Sequence, residues 1–290
     1  MGIQDLTELL QNTEDKLSVF QNKYKLNQYD ISIAEFLYLV KDFLSDEQKA
    51  ELLEAEHIKK LSAHIKKSII DFVEDDKIKL DLIKNDELVS DIDKWQILEL
   101  VKTLGDNEKT KLLQDSDFLR EKYGMQDYDF KDIALTLREE GKKSLLQNRD
   151  LMENQLKDYA IKEIVASLED EETKLNMIDS YEFKSYLVKD IIQTFSHDGM
   201  KEVLLENKYG FSDYDITDIV AAMDTDSLVN FVNENKEFLE QNDVSPYRII
   251  KQLNSERQLE FMSRFEDVEL TMRREETNFS NFRGRNKTEY

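Results

Sequence analysis

The sequence contains no cysteine, one proline and seven glycines in 290 residues. Lacking cysteine, it has no disulfides, thiolate metal sites or cysteine nucleophiles, and it suits a reducing compartment. So few chain breakers argue against strand-rich folds, which need many tight turns, and in favour of helix. No apolar run approaches the ~18 residues of a membrane span. The first residues, Met1-Gly2-Ile3-Gln4-Asp5-Leu6, hold no basic segment leading into an apolar one, and Leu6 stands where a myristoylation signal wants Ser or Thr. These absences lead us to expect a cytoplasmic protein with no membrane association. Catalytic patterns are missing too. The three histidines, His57, His64 and His197, fit no His-Glu-x-x-His pattern, and there is no nucleophile elbow, phosphate loop or dinucleotide fingerprint. Neither an enzyme nor a cofactor is expected.

Charge is abundant and mostly of one sign: 63 acidic against 40 basic side chains, a formal net charge of −23. Residues 271–290 carry five basic and three acidic groups, so the excess acidity belongs to the first 270. Nucleic-acid binding needs a basic surface to neutralise phosphates, so no direct contact with nucleic acid is expected.

A periodicity organises this acidic stretch. Ile164–Leu175 aligns without a gap on Ile69–Leu80. Taking Leu168 as an anchor, equivalents fall at Leu10, Phe43, Val73, Leu104, Leu137, Phe195, Met223 and Leu253, at intervals of 27 to 33 residues. Four residues before the anchor stand Leu6, Leu39, Ile69, Leu100, Ile133, Ile164, Ile191, Ile219 and Ile249. Nine after it stand Val19, Leu52, Leu82, Leu113, Leu146, Met177, Leu204, Val232 and Met262. Both columns are wholly apolar. Apolar residues seven, four and three before the anchor give the one-face spacing of a first helix. Two after the anchor come Asn12, Ser45, Asp75, Asp106, Glu139, Asp170, His197, Thr225 and Ser255, mostly N-cap types that predict the start of a second helix. Acidic residues often follow, where the helix dipole favours them. The same register puts first-helix caps at Asp129, Asp215 and Ser245, with Pro246 at a first helical position that needs no N–H.

A hairpin of ~30 residues loses at least about 1 kcal/mol of backbone entropy per residue, more than seven or eight buried side chains return, so it needs neighbours. The expected fold is all-α: an α-solenoid of about nine stacked short helix-turn-helix repeats over residues 1–270, then a C-terminal capping helix and mobile tail over 271–290. This organisation resembles α-solenoids as a class, such as tetratricopeptide or HEAT arrays. The tetratricopeptide signature and its 34-residue period are absent, and HEAT units are longer.

Two columns and one pair of segments are candidate sites. Nine residues before the anchor stand ring side chains, His64, Trp95, Tyr128, Tyr159, Tyr186 and Tyr214. They could grip a peptide or stack bases. Placed just outside the helix, however, they can staple onto the residue four into it, as Tyr128 onto Ile133, and packing is the favoured reading. Six after the anchor stand Lys16, Lys49, Lys79, Lys143, Lys174 and Lys201, a stripe for an acidic peptide or phosphates that reads better as solvated pairing with nearby carboxylates. Asp127–Asp132 and Asp213–Asp218 resemble calcium-loop fragments but carry aspartate where that loop needs glycine, so helix capping is expected and no metal.

The function expected from these features is non-catalytic protein–protein interaction: an acidic helical-repeat scaffold holding a protein or peptide with a basic patch. The alternatives are an acidic inhibitor that occupies the groove of a nucleic-acid-binding protein, as in a conflict between virus and host, and the recognition or regulatory segment of a larger enzyme.

Overall fold

The computed structural model describes residues 2–148 and 156–265; the capping helix and tail expected at 271–290 lie outside the described residues. Every regular element described is a helix. They are α1 (Ile3–Asn12), α2 (Lys16–Gln21), α3 (Lys23–Leu26), α4 (Ile33–Phe43), α5 (Asp46–Leu53), α6 (Glu56–Lys59), α7 (Ala63–Asp71), α8 (Asp76–Lys84), α9 (Asp86–Val89), α10 (Lys94–Thr103), α11 (Asp106–Gln114), α12 (Ser116–Tyr123), α13 (Asp127–Leu135), α14 (Glu139–Leu146), α15 (Asp158–Ala166), α16 (Glu171–Tyr181), α17 (Ser185–Ile192), α18 (His197–Glu206), α19 (Asp213–Ala222), α20 (Thr225–Glu234), α21 (Lys236–Gln241), α22 (Pro246–Gln252) and α23 (Ser255–Arg264). None of the described helices is long and apolar enough to cross a membrane.

The chain divides into two compact units, residues 1–157 and 158–290. In the first, α1, α4, α7, α10 and α13 pack each on the next, and so do α2, α5, α8, α11 and α14. In the second, α15, α17, α19 and α22 pack in succession, and α20 packs on α23. The core of each unit is the apolar seam of these helices. In α10 it is Ile97, Leu98, Leu100 and Val101, and in α17 Leu187, Val188, Ile191 and Ile192, all buried. Burying such a side chain stabilises by roughly 1.5–3 kcal/mol, and each seam is covered by its neighbours along the row.

Caps fix where each helix begins. Ser45, Asp75 and Asp170 cap second helices as the register predicts, for example through Asp170 Oδ2, which accepts from Thr173 N at 2.8 Å. Elsewhere the register is off by one. Gly105, Arg138, Ser196, Asp224 and Asn254 are the N-caps, so Asp106, Glu139, His197, Thr225 and Ser255 are first helical residues. In those turns the apolar anchor is followed directly by the cap, with no residue between. Asn12 ends α1, and Asp15 caps α2. In the second repeat the buried anchor is Leu44, and Phe43 is only half-buried.

Two first-helix caps also move. α13 and α19 begin three residues before the expected place, and Asp129 and Asp215 are third residues whose carboxylates accept from the amides of Gln126 (2.8 Å) and Ser212 (3.1 Å). Ser245 and Pro246 take the predicted places, with Ser245 Oγ accepting from Arg248 N at 3.4 Å.

Short third helices are a feature the two-helix reading lacks. α3, α6, α9, α12 and α21 each follow a second helix. Several reach back to close the second helix of the preceding pair: Tyr123 Oη donates to Ile83 O at 2.8 Å, and His57 Nε2 donates to Phe20 O at 3.0 Å. These are carbonyls that a helix end leaves without an intrahelical partner. The steps from Leu168 to Phe195 and on to Met223, 27 and 28 residues, are the shortest because α15–α19 contain no third helix.

Candidate functional site

Half of the lysine column is interior, against the solvated stripe expected of it. Lys49, Lys79 and Lys174 are 6%, 5% and 3% exposed, and their amines reach forward to the end of the next first helix. Lys49 Nζ donates to Phe72 O at 2.9 Å, Lys79 Nζ to Thr103 Oγ1 at 3.3 Å and Lys174 Nζ to Thr194 Oγ1 at 2.8 Å. A cation at the negative end of a helix is favoured there, and the lysine stem fills the space between helices. Lys16 lies 5.6 Å from the Phe43 ring centroid. Lys143 pairs with Glu139 and Glu140 of its own helix, and Lys201 pairs with Glu234 at 2.7 Å.

Counting from the helix start instead of the anchor gives the physical rule. The buried lysine is the fourth helical residue, three after an acid: Asp46-x-x-Lys49, Asp76-x-x-Lys79, Asp106-x-x-Lys109 and Glu171-x-x-Lys174. By this count Lys109, which the anchor register misses, belongs to the set, and its Nζ donates to Thr136 O at 3.3 Å. The acids act on the same neighbouring turn. Asp46 Oδ2 accepts from Glu74 N (2.8 Å) and Asp75 N (2.7 Å), Asp106 Oδ2 accepts from Arg138 N (3.1 Å), and Glu171 accepts from Ser196 N. Burial pushes the Asp46 carboxyl up, but the Lys49 ammonium and the Asp75 and Glu74 amides outweigh it and hold it below the usual carboxylate range. Burial pushes the Lys109 ammonium down.

The ring column shows the opposite correction. Trp95, Tyr128, Tyr159, Tyr186 and Tyr214 are 61%, 43%, 40%, 52% and 69% exposed, and His64 is exposed too. They do not staple onto the core. Each is the second residue of its helix, because the first helices begin earlier than the register predicted. At about 100° per residue, the second position lies opposite the seam formed by positions four, seven and eight. Tyr247, the second residue of α22, extends the column. The rings thus stand on successive packed helices: α7, α10 and α13 in the first unit, and α15, α17, α19 and α22 in the second. Packed helix axes are about 8–10 Å apart, which sets the spacing along each row.

Beside the rings runs a charge ladder on the fifth and sixth helical positions. Lys162 pairs with Asp190 at 3.2 Å and Lys189 with Asp218 at 2.8 Å, each from one first helix to the next. The Asp218 hydrogen bond outweighs burial and raises Lys189.

The rings already hold cations of this chain. Lys94 Nζ lies 4.6 Å from the Trp95 ring centroid and 4.9 Å from that of Tyr128, and donates to Tyr128 Oη and Asp129 Oδ2, both at 3.0 Å. Those two hydrogen bonds, Tyr128 first, hold its ammonium above the ordinary lysine range. The Arg248 guanidinium lies 5.6 Å from the Tyr214 centroid while pairing with Asp213, and Lys251 lies 4.4 Å from that of Tyr247. Such contacts are attractive because the ring face is electron-rich.

The calcium-like aspartates are occupied by capping and ion pairs. Asp127 pairs with Arg120 (2.8 Å) and Lys157 (3.3 Å), Asp132 meets Lys102 and Lys131, and Asp215 caps through Ser212. His197, Ser227 and Asp224 also come together, but the serine and the carboxylate both address Nδ1, while Nε2 accepts from Asp224 N at 3.2 Å. A nucleophile relay needs them on opposite ring nitrogens, so this trio is a turn clasp. No protein-family model matches the chain, and no characterised protein shows significant sequence similarity to it.

Proposed function

We propose that the chain is a non-catalytic interaction protein, an α-solenoid of about nine short hairpins acting in the cytoplasm. Its outward row of rings holds a protein or peptide with a basic patch. The observation that carries this reading is the repetition of an exposed aromatic ring at the second position of successive first helices, in a chain of net charge −23. Rings in such a row bury area on a ligand at little entropic cost, since each has only two side-chain torsions. The acidic field steers a basic partner and makes association fall with salt. Where Lys94 and Arg248 meet Tyr128 and Tyr214, the protein itself shows a cation held between ring and carboxylate.

Binding of fluorescein-labelled oligoarginine and oligoglutamate to the full chain, followed by anisotropy from low to high salt, tests this. Salt-sensitive binding of the basic peptide alone is expected. Equal affinity for both peptides, or affinity unchanged by salt, would remove the reading.

A further inference from the structure

The Asp-Tyr dipeptide at a first-helix start occurs three times, and its surroundings differ. At Asp213-Tyr214 one guanidinium, that of Arg248, pairs with the aspartate and lies over the ring. At Asp127-Tyr128 the aspartate takes Arg120 and Lys157 while the ring takes Lys94. At Asp158-Tyr159 both side chains are exposed, and among the described residues no cation pairs with Asp158 or lies over Tyr159. One packed helix further along, Tyr186 is also without a cation among the described residues.

We infer that Asp158-Tyr159 is an arginine-reading subsite for an extended peptide, and that Tyr186 takes a second arginine of the same peptide three residues away. This deepens the interaction reading above and rests on it. Arginine fits better than lysine for two reasons. Its planar guanidinium can stack on a ring and still present N–H groups in the ring plane to a carboxylate. Arg248 lies over the ring and pairs with the aspartate at the equivalent dipeptide two first helices further on. The interval follows from geometry. α15 and α17 are packed neighbours, so Tyr159 and Tyr186 are about 8–10 Å apart, which a peptide in the polyproline II conformation spans in three residues at about 3.1 Å each, with side chains three apart on the same face. Lys162 and Lys189 do not compete for the peptide's place, since they are tied to Asp190 and Asp218.

The probe is a fluorescein-labelled peptide with arginine at every third position and Gly or Ser between, titrated with the full chain. Asp158→Asn and Tyr159→Ala are each expected to weaken binding about tenfold, and Tyr186→Ala by several-fold. Tyr159→Phe keeps the ring and is expected to keep the affinity. Citrulline for arginine, or arginines at every second position, is expected to cost wild type as much as Tyr159→Ala does. Thermal unfolding coincident with wild type checks each variant's fold, as the exposure of both side chains leads us to expect. If Asp158→Asn and Tyr159→Ala bind within twofold of wild type while binding stays salt-sensitive, the subsite is overturned and the wider reading survives. If no basic peptide binds at low salt, both fall together.

Discussion

Where the hairpins carry them, conspicuous side chains at the starts of second and of first helices are treated in opposite ways. Where a second helix begins, an acid and a lysine three residues apart turn toward the next hairpin and disappear: Asp46 and Lys49 are tied to Asp75 N and Phe72 O. Where a first helix begins, a ring in the same first turn faces outward and stays exposed, as Tyr186 does. Helical phase decides this. Position four joins the buried seam and position two opposes it, so a lysine in one place is structural while an aromatic residue in the other stays exposed. Chemical type alone predicts the reverse, since lysine belongs on surfaces and aromatic rings in cores.

The largest effect that could break this contrast is on stability. Lys49→Ala removes the buried donor to Asp46 Oδ1 and Phe72 O and should cost about 2–3 kcal/mol, read as a lower urea midpoint. Tyr186→Ala should stay within about 0.5 kcal/mol of wild type. Equal losses in the two variants would erase the distinction. Next in size is the acid limb. The Asp46 carboxyl has a depressed folded pKa, so its contribution is complete above the unfolded value of about 3.9 and is lost as pH falls through the folded one. Asp46→Asn should therefore flatten the decline in thermal midpoint below about pH 4; a decline as steep as that of wild type would mean Asp46 does not titrate with folding. The smallest effect sharpens the contrast from the glycine side. A Cβ on Gly199 would run into the Glu171 carboxylate that holds the Ser196 amide. Gly199→Ala should thus fail to give the roughly 1 kcal/mol that alanine gains over glycine in an open helix. A full gain, seen by urea unfolding, would show that the Glu171 contact yields freely.

Helix content was legible from the scarcity of proline and glycine, and the packing rows from columns such as Ile133, Ile164 and Ile191, which are all fully buried. Column membership was readable, but direction was not. A constant offset from the anchor absorbs one-residue differences in turn length, and one residue is about 100° of helix. That is enough to select Lys143 in place of Lys142 and to miss Lys109. It also moved the helix starts past Tyr128 and Tyr214, turning outward residues into presumed staples. The third helices escaped notice because segments such as Asp86–Val89 are a single turn, too short to show a period. The acid-x-x-lysine pattern was present throughout and needed only the helix start as its reference point.

The clasp between hairpins has an evolutionary corollary. What Asp46, Asp106, Lys49 and Lys109 grasp on the following hairpin is main chain, amide nitrogens and a carbonyl oxygen. Those contacts are indifferent to the successor's side chains, whereas Lys79 and Lys174 also call for a threonine hydroxyl. At a joint made only to main chain, the residues of the following helix can change without disturbing the clasp that holds it.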